Sequence, residues 1–448
     1  MVGEKKLKSQ ALYALSCSKA NQTEVVLFCT NSNLTRFANN TIHQNTNVEN
    51  IWVSVRSVLD SKKGKKVGVA SANVFDKNSI KEVVFKSNEI AKFQKPDPHF
   101  KSLPKPKPIQ KIQSFSEDLA RIDVEKKIKE VNKLILKSKK EKMIASGAFS
   151  TEIGELAVAN SFGVWAYHPF SELFFSTIIS SKNSSGYAHH IAKDLKKFDI
   201  FKLADEAIKK AKRSRKPTEV KPGIYDVILE EYAVGDMLGY LAYLGFGGKA
   251  FHEGKSFASG KLGKKILGEN ITIFDDPHHP DTLIMPLDWE GVPRRKVPIV
   301  EKGILKNVVY DSYTAGKYGK ESTGHAYIAP NPLGPLPLHL VLMPGEHSKE
   351  DMIRSTKKGI WVTRFHYANV HHFKKLNLTG MTRDGTFLIE NGEIVAGIKN
   401  LRFTQSIPEA LNKVEMIGRD LKLNSHIGMH LAPVLKIKDF NFTSKTEF

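Results

Sequence analysis

Over positions 1–90 apolar and polar residues alternate, in "EVVLFCT", "NIWVSVRSVL" and "GVASANV". A period of two puts every second side chain on one face, so these stretches predict strands, with Asn-rich turns between them. The segment "FQKPDPHFKSLPKPKPIQK" follows, dense in proline and lysine and without a period, and reads as a surface connector. The period then changes. Within 116–143, Ile128, Val131 and Ile135 share one helical face, Ser116 can cap, Glu117 and Asp118 fill the first turn, and lysines crowd the end. Together these predict a helix. Strand patterns return at "EIGELAVANSFGVWAYH" and "ELFFSTIISS", and a second amphipathic helix is expected over 192–213.

The stretch "PTEVKP" at 217–222 is the best domain boundary, because the texture changes beyond it. "YDVILEE" reads as a strand and "AVGDMLGYLAYLGF" as an apolar helix with small residues. Short strands and turns then run to the end, and "ENGE" at 390–393 sets Asn-Gly between two apolar runs, a strong hairpin signal. The expected class is therefore mixed α/β (α+β), with an N-terminal α/β domain over 1–216 and a β-rich domain over 223–448.

Composition narrows the setting. A folded chain of 448 residues, 41% of them hydrophobic, buries on the order of 75% of its unfolded surface and needs no disulfides. Cys17 and Cys29 cannot supply a cysteine cluster and suit a reducing compartment. No apolar run has the length of a membrane span and the first residues lack a signal-peptide core, so a cytoplasmic protein is expected. The net charge of +21 fits an acidic partner such as nucleic acid or a membrane surface, or a lysine-rich habit with no partner at all. The lysines are spread along the chain, which favours the second. The one dense run, "KKAKRSRK" at 209–216, closes a helix, where cations complement the dipole. There is no P-loop, dinucleotide fingerprint or nucleophile elbow.

Two long stretches carry a recognisable series: "FDDPHHPDTLIMPLDWEGVPRRKVPIVEKGILKNVVYDSYTAGKYGKESTGHA" at 274–326 and "TGMTRDGTFLIENGEIVAGIKNLRFTQS" at 379–406. D-x-E-G-V, a G-x-L strand, an A-x-K-x-G helix start, S-T-G-H-A and L-I-E-N-G follow one another in order. In this the chain resembles the TldD/PmbA (TldE) family of peptidase-related proteins, over about 225–406 and more faintly before it. The resemblance implies an N-terminal α/β domain and a β-rich C-terminal domain, associating as a dimer. It also implies one of two kinds of subunit. TldD-type subunits hold zinc through H-E-x-x-x-H on a helix and a later cysteine. TldE/PmbA-type subunits lack these ligands and pair with a TldD subunit. The assembly digests unfolded peptides, including the leaders of modified peptides.

The chain has one His-Glu pair, His252 and Glu253, in "HEGKSF". A hydrolytic zinc site needs about three protein ligands and an open position for water, with the Glu beside it as base. Ser256 and Phe257 stand four and five places after His252, and neither binds zinc. No cysteine lies near L-I-E-N-G, where Arg383 and Asp384 stand instead. The spacing to "KSFASG" aligns the family's metal helix with "VGDMLGYLAYLGF", where Gly239 and Leu244 fall at the ligand places. His252 and Glu253 then belong to a glycine-rich connector, and this chain is expected to carry no zinc of its own. His278 and His279, between prolines, read as an exposed turn. His366, His371 and His372 read as an exposed strand and turn. His325, in S-T-G-H-A, either lines a central cavity or is a hydrogen-bonded structural residue.

The expected function is a TldE/PmbA-like subunit of a TldD/TldE-type metalloprotease, as a heterodimer with a TldD-like paralogue or as a homodimer. Zinc comes from the TldD-type partner, and the substrate is an unfolded or leader peptide. Arg383 and Arg364 are candidates for contacting peptide carbonyls or a terminal carboxylate. One alternative is an active zinc metallopeptidase using His252 as ligand and Glu253 as base. Another is a basic, nucleic-acid-associated regulator, against which the lack of a helix-turn-helix or clustered base-reading residues counts.

Overall fold

The alternating stretches near the start form strands in a computed structural model that describes residues 1–446. With elements numbered in chain order, helix α1 (Glu4–Cys17) precedes β1 (Gln22–Ala38), β2 (Thr41–Ser61) and β3 (Gly64–Ala72). Three helices follow: α2 (Lys77–Phe93), α3 (Glu117–Ala120) and α4 (Val124–Lys140). Then come β4 (Ile144–Asn160), β5 (Trp165–Ser181), β6 (Ser184–Ala192) and helix α5 (Ile200–Arg213). The six strands make one antiparallel sheet in the order β3-β2-β1-β4-β5-β6. Asn39 and Asn40, with φ of 51° and 60°, close the β1–β2 hairpin as a two-residue turn, the conformation asparagine tolerates best after glycine.

The period of two decides which side of this sheet meets what. Val25, Leu27 and Cys29 of β1 pack with Leu7, Ala11 and Ala14 of α1 and with Ile80, Val83 and Val84 of α2. Further along the same face Phe149, Phe175 and Ile179 meet Val131, Leu134 and Ala207 of α4 and α5. The intervening residues, Val26, Leu156, Val158 and Ala166, face Leu287 of the C-terminal half, with Phe28 and Trp289 beside them. One sheet thus separates a helical layer from an interface layer.

Three expectations need correction. The first ninety residues are not strands alone: the Leu7, Ala11, Ala14 spacing makes α1, and Asp76 caps α2 by accepting from Ser79 N at 3.0 Å. The helix expected over 116–143 is two helices. Ser116 caps α3, but the Asp123 carboxylate accepts from Lys126 N at 2.6 Å and starts a fresh helix, α4. The helix expected over 192–213 begins only at Ile200, because 184–192 is held against β5 as strand β6 and Asp199 supplies the cap.

After 217–222 come β7 (Gly223–Leu229), α6 (Glu231–Leu244) and α7 (Gly248–His252). They are followed by β8 (Ile273–Asp275), β9 (Val297–Glu301), β10 (Ile304–Leu305), α8 (Ser312–Tyr318), β11 (Leu340–Leu342) and α9 (Lys349–Arg354). A long hairpin of β12 (Lys358–His372) and β13 (Asn377–Glu390) leads into β14 (Glu393–Gly397), β15 (Leu401–Ser406) and α10 (Ile407–Asn412). The chain closes with β16 (Val414–Ile417), β17 (Lys422–Ser425), β18 (Met429–Ala432) and β19 (Leu435–Lys445). The expected "ENGE" hairpin is the β13–β14 turn, with Asn391 and Gly392 both at positive φ.

Two sheets result. One runs β10-β9-β8-β11-β18-β17; the other runs β12-β7-β19-β15-β13-β14, and its β12 also pairs with β13. That extra pairing closes β12, β7, β19, β15 and β13 into a five-stranded barrel, which removes their free edges. The main core joins Val227, Val362, Phe403, Ile437 and Phe442 of the barrel to Leu238 and Leu241 of α6. Helix α6 also touches β17 and β18, so it lies between the two sheets.

Candidate functional site

Helix α6 begins where β7 ends, because Glu230 turns the chain and its carboxylate is taken by Lys210 Nζ at 2.7 Å and Trp361 Nε1 at 2.7 Å. Lys210 also reaches Glu206, and Lys349 reaches Glu231 at 3.0 Å. Glu206, Lys210, Glu230, Lys349 and Trp361 line a cavity of about 540 Å³ at the start of the helix. Every one of those charges has a partner, so this is an ion network tying α5 to the C-terminal half.

Further along α6 the helix is apolar except for one acid, Asp236. It opens on a second cavity, of about 360 Å³, walled by β6, α6, β12 and the end of β17. Tyr187 and His189 come from β6, Arg364 and His366 from β12, Asn424 from β17 and His426 from just beyond it. His189 is fixed as a neutral acceptor at Nδ1. Its Nε2 donates to Leu423 O at 3.0 Å and Nδ1 receives the Tyr187 hydroxyl at 3.1 Å; burial pushes its pKa down to about 3. Arg364 lies with its guanidinium 4.6 Å from the centre of the Tyr187 ring, and Nε donates to Asp384 Oδ2 at 2.7 Å while Nη2 contacts the same oxygen. Asp384 reaches it because the β12–β13 register slips between Val362 and Arg364 and Asp384 itself sits at φ 56°. A bulge re-aims the side chain. Burial pushes the Asp236 carboxyl up to about 7, against the pull of Arg364.

Of the residues singled out from sequence, Arg364 and His366 line this cavity. Arg383 stands opposite Arg364 across the hairpin, half-buried and in no ion pair with any described residue. His371 and His372 are exposed at the far end of β12, where His372 Nδ1 accepts from Lys375 N. His278 is half-buried rather than exposed, its pKa lowered by burial, and His279 Nδ1 accepts from Asp281 N. His325 lines neither of these two cavities: it is buried, with Nε2 2.8 Å from Asp275 and Nδ1 2.9 Å from Thr323 O. The cysteines stay apart from all of these, and burial pushes the Cys29 thiol up to about 12.

His252 and Glu253 are not in a loop but at the end of the five-residue helix α7. His252 Nε2 is 3.0 Å from the Tyr310 hydroxyl, and its ring stacks on Tyr318 at 3.9 Å. Glu253 is exposed and pairs with Lys255 at 2.7 Å. Neither residue lines the α6 cavity. Gly239 and Leu244, at the places where zinc ligands would stand, are on α6 as expected. A side chain at 239 would meet backbone at once: a Cβ there stands 2.1 Å from the His426 carbonyl oxygen. Among the described residues no three His, Cys, Asp or Glu side chains converge as a metal site. The residues present do not fit a hydrolytic zinc.

Sequence reading missed Asp236, Asn424 and His426. A signal for the first was present: a single acid in the apolar run 233–244 is the informative exception to burial rules. Asn424 and His426 sit in an unremarkable turn and acquire meaning only from what they face.

Comparison with known proteins places this geometry. Residues 222–444 match the model of the PmbA/TldA metallopeptidase C-terminal domain, and residues 117–215 match that of the central domain. An uncharacterized protein of Methanocaldococcus jannaschii is 29% identical over 277 residues, 61% of this chain and 63% of that protein. Metalloprotease PmbA of Escherichia coli O157:H7 is 28% identical over 305 residues, 65% of this chain and 64% of that one. The chain thus spans less than two thirds of the length of these curated relatives. TldE from Thermococcus kodakarensis shares the fold, with a TM-score of 0.88 at 21% identity over 97% of this chain and 99% of that one.

Proposed function

Given that the chain belongs to the PmbA/TldD metallopeptidase family, we propose that it is the zinc-less, TldE/PmbA-like subunit of a TldD/TldE-type metalloprotease. Its work is to complete a peptide-binding chamber in the cytoplasm, while a TldD-like partner supplies zinc and the hydrolytic step. On this reading the lobes 1–216 and 223–448 form two walls, with the α6 cavity between them. Extended peptide enters there, and Arg383, free of an acidic partner among the described residues, contacts its carbonyls. Arg364 is committed to Asp384 and shapes the wall.

The observation that carries the proposal is Gly239. On the spacing read from the sequence, the metal helix of the zinc-bearing subunits aligns with α6, and a Cβ at 239 would stand 2.1 Å from the His426 carbonyl oxygen, which leaves no room for a ligating side chain there. The alternative, catalysis through His252 and Glu253, finds no further ligand beside them: His252 is held by Tyr310 and Tyr318.

Metal analysis and peptidase assay of the chain alone, then with a co-purifying TldD homologue, test the proposal. The expected result is no stoichiometric zinc and no cleavage alone, with cleavage on adding the partner. Stoichiometric zinc and cleavage by the isolated chain, abolished by Glu253→Ala, would overturn it.

A further inference from the structure

Strand β3 ends the first sheet with its outer edge only partly filled. It pairs with β2 without a bulge, through a two-residue turn that sets Ser61 opposite Gly64. In such a ladder alternate residues turn both N–H and C=O away from the partner strand. Lys65 is one of them: its N donates to Asp97 O at 3.0 Å and its O accepts from Asp97 N at 2.7 Å, a single antiparallel rung. The rung has no successor, because the chain just before Asp97 is the end of α2. Val67 and Val69 turn the same way as Lys65, and no described residue bonds their outward N–H or C=O groups. This edge is also unguarded. Proteins blunt open edges with lysine, proline or a bulge, and 67–72 reads "VGVASA".

The empty rungs open into a cavity of about 450 Å³ between the N-terminal sheet and the C-terminal half. Val67, Val69, Phe100, Tyr313 and Tyr327 line it, and Ile90 of α2 stands across the edge. Ile90 and Tyr327 are 39% and 42% exposed, and Phe93, at the end of α2, is 86% exposed. Large apolar side chains gathered at the surface mark a place where something apolar docks. The charged groups of the cleft are already engaged: Arg56 bridges Glu24 and Glu290, Asp97 accepts from the Tyr313 hydroxyl, Asp311 accepts from Thr314 N and Lys249 donates to Pro332 O. The walls decide what can enter. Helix α2 closes one side of the edge and residues 329–334 the other, so a single extended chain fits where the edge of a second sheet does not. Its main chain would complete the rungs, and its side chains would fall alternately on the Tyr313 side and the Ile90 side.

We infer that the free edge of β3 is a strand-addition site for an extended peptide segment, held antiparallel on the Val67 and Val69 rungs with apolar side chains facing Tyr313 and Tyr327. The inference rests on the peptide-binding reading above and gives the peptide a second contact. Strands β3 and β6 are the two edges of one six-stranded sheet, about 24 Å apart at the usual strand spacing, so this contact is separate from the α6 cavity.

The full chain is titrated by calorimetry with the capped peptide acetyl-Ser-Thr-Val-Thr-Val-Thr-Ser-amide and with two N-methylated forms of it. Methyl groups on the two valine nitrogens, which face β3 in this pairing, are expected to weaken binding about tenfold through the loss of two main-chain hydrogen bonds. Methyl groups on the threonine nitrogens, which face away, are expected to leave it unchanged. Amide exchange over 64–72, read by mass spectrometry, is expected to slow on adding the unmodified peptide and not the valine-methylated one. Equal affinities of the two methylated forms, or exchange over 64–72 unchanged by bound peptide, overturn the site. If exchange slows instead over 231–244, around the α6 cavity, peptide binding stands and only the β3 site falls. No binding of any form also overturns the site, and cleavage with the TldD homologue then decides the peptide reading by itself. Slow exchange over 64–72 in concentrated protein without peptide, lost on dilution, makes a second copy of this chain the occupant and overturns the peptide assignment.

Discussion

Gly239→Ala is the smallest change that asks whether α6 is packed too tightly for a ligand. A methyl group there would stand 2.1 Å from the His426 carbonyl oxygen and 3.1 Å from its carbon. Ordinary carbon–oxygen contacts begin near about 3.3 Å, so the overlap is roughly 1 Å, and it is with backbone that cannot rotate aside. Overpacking costs about 1–3 kcal/mol, and an overlap this large against backbone falls in the upper half of that range, about 2–3 kcal/mol. Alanine returns about 1 kcal/mol through its better helix propensity. The expected net loss is about 1–2 kcal/mol, read as a lower urea midpoint at unchanged slope. Gly316→Ala in α8 is the control. Its Cβ would meet only the flexible Lys101 side chain, at 3.2 Å, so propensity prevails and stability stays level or rises. Should Gly239→Ala be as stable as the parent, the close approach of α6 to His426 is wrong, and with it the argument that no ligand fits at 239.

Asp275→Asn should cost about 3–5 kcal/mol, measured by thermal or urea unfolding, because it leaves Arg294 charged and buried beside an incomplete His325 network. The same network makes stability acid-sensitive. Burial raises the Asp275 carboxyl but His325 and Arg294 more than offset it, holding it below the usual range, so its contribution is present above about pH 4 and is lost as pH falls further. Glu24 behaves oppositely. Burial pushes it up to about 7 despite Arg56, so the folded chain binds the extra proton and stability from this group falls as pH rises from about 4.5 to 7. Glu24→Gln should remove that slope, seen in the difference between the two urea-midpoint profiles. Arg364→Met should cost about 3 kcal/mol or more by stranding Asp384, whereas Arg383→Met should stay within about 0.5 kcal/mol. Equal costs for the two arginines would contradict their different surroundings.

Much of the architecture was legible in the order of residues. The two-residue period of 22–38 gave a strand whose faces sort between helices and interface, and Asn391-Gly392 marked a real hairpin. Helices failed where a signal competed with a neighbour's. Leu7, Ala11 and Ala14 are a sparse helical stripe next to strong alternation, and Asp123 interrupts a pattern that looks continuous from Ser116. The candidate site was half legible. Gly239 and Leu244 could be placed by spacing, whereas Arg364 was singled out only as a candidate for contacting peptide. That Asp384 already occupies Arg364, and that Asp236 faces Asn424 and His426 from nearly two hundred positions away, depends on a β-bulge and on the packing of α6 over two sheets. Neither leaves a local periodic trace.

The barrel's closure has a consequence for the chain's routing. Its first strand, β7, lies antiparallel to its last, β19, with Gly223 opposite Phe442. Entry to and exit from the C-terminal half are therefore one seam, a few ångströms wide. A segment whose two ends meet can be lifted out, carried into another polypeptide or reopened at an exposed turn such as Asn391-Gly392 without any strand being rethreaded.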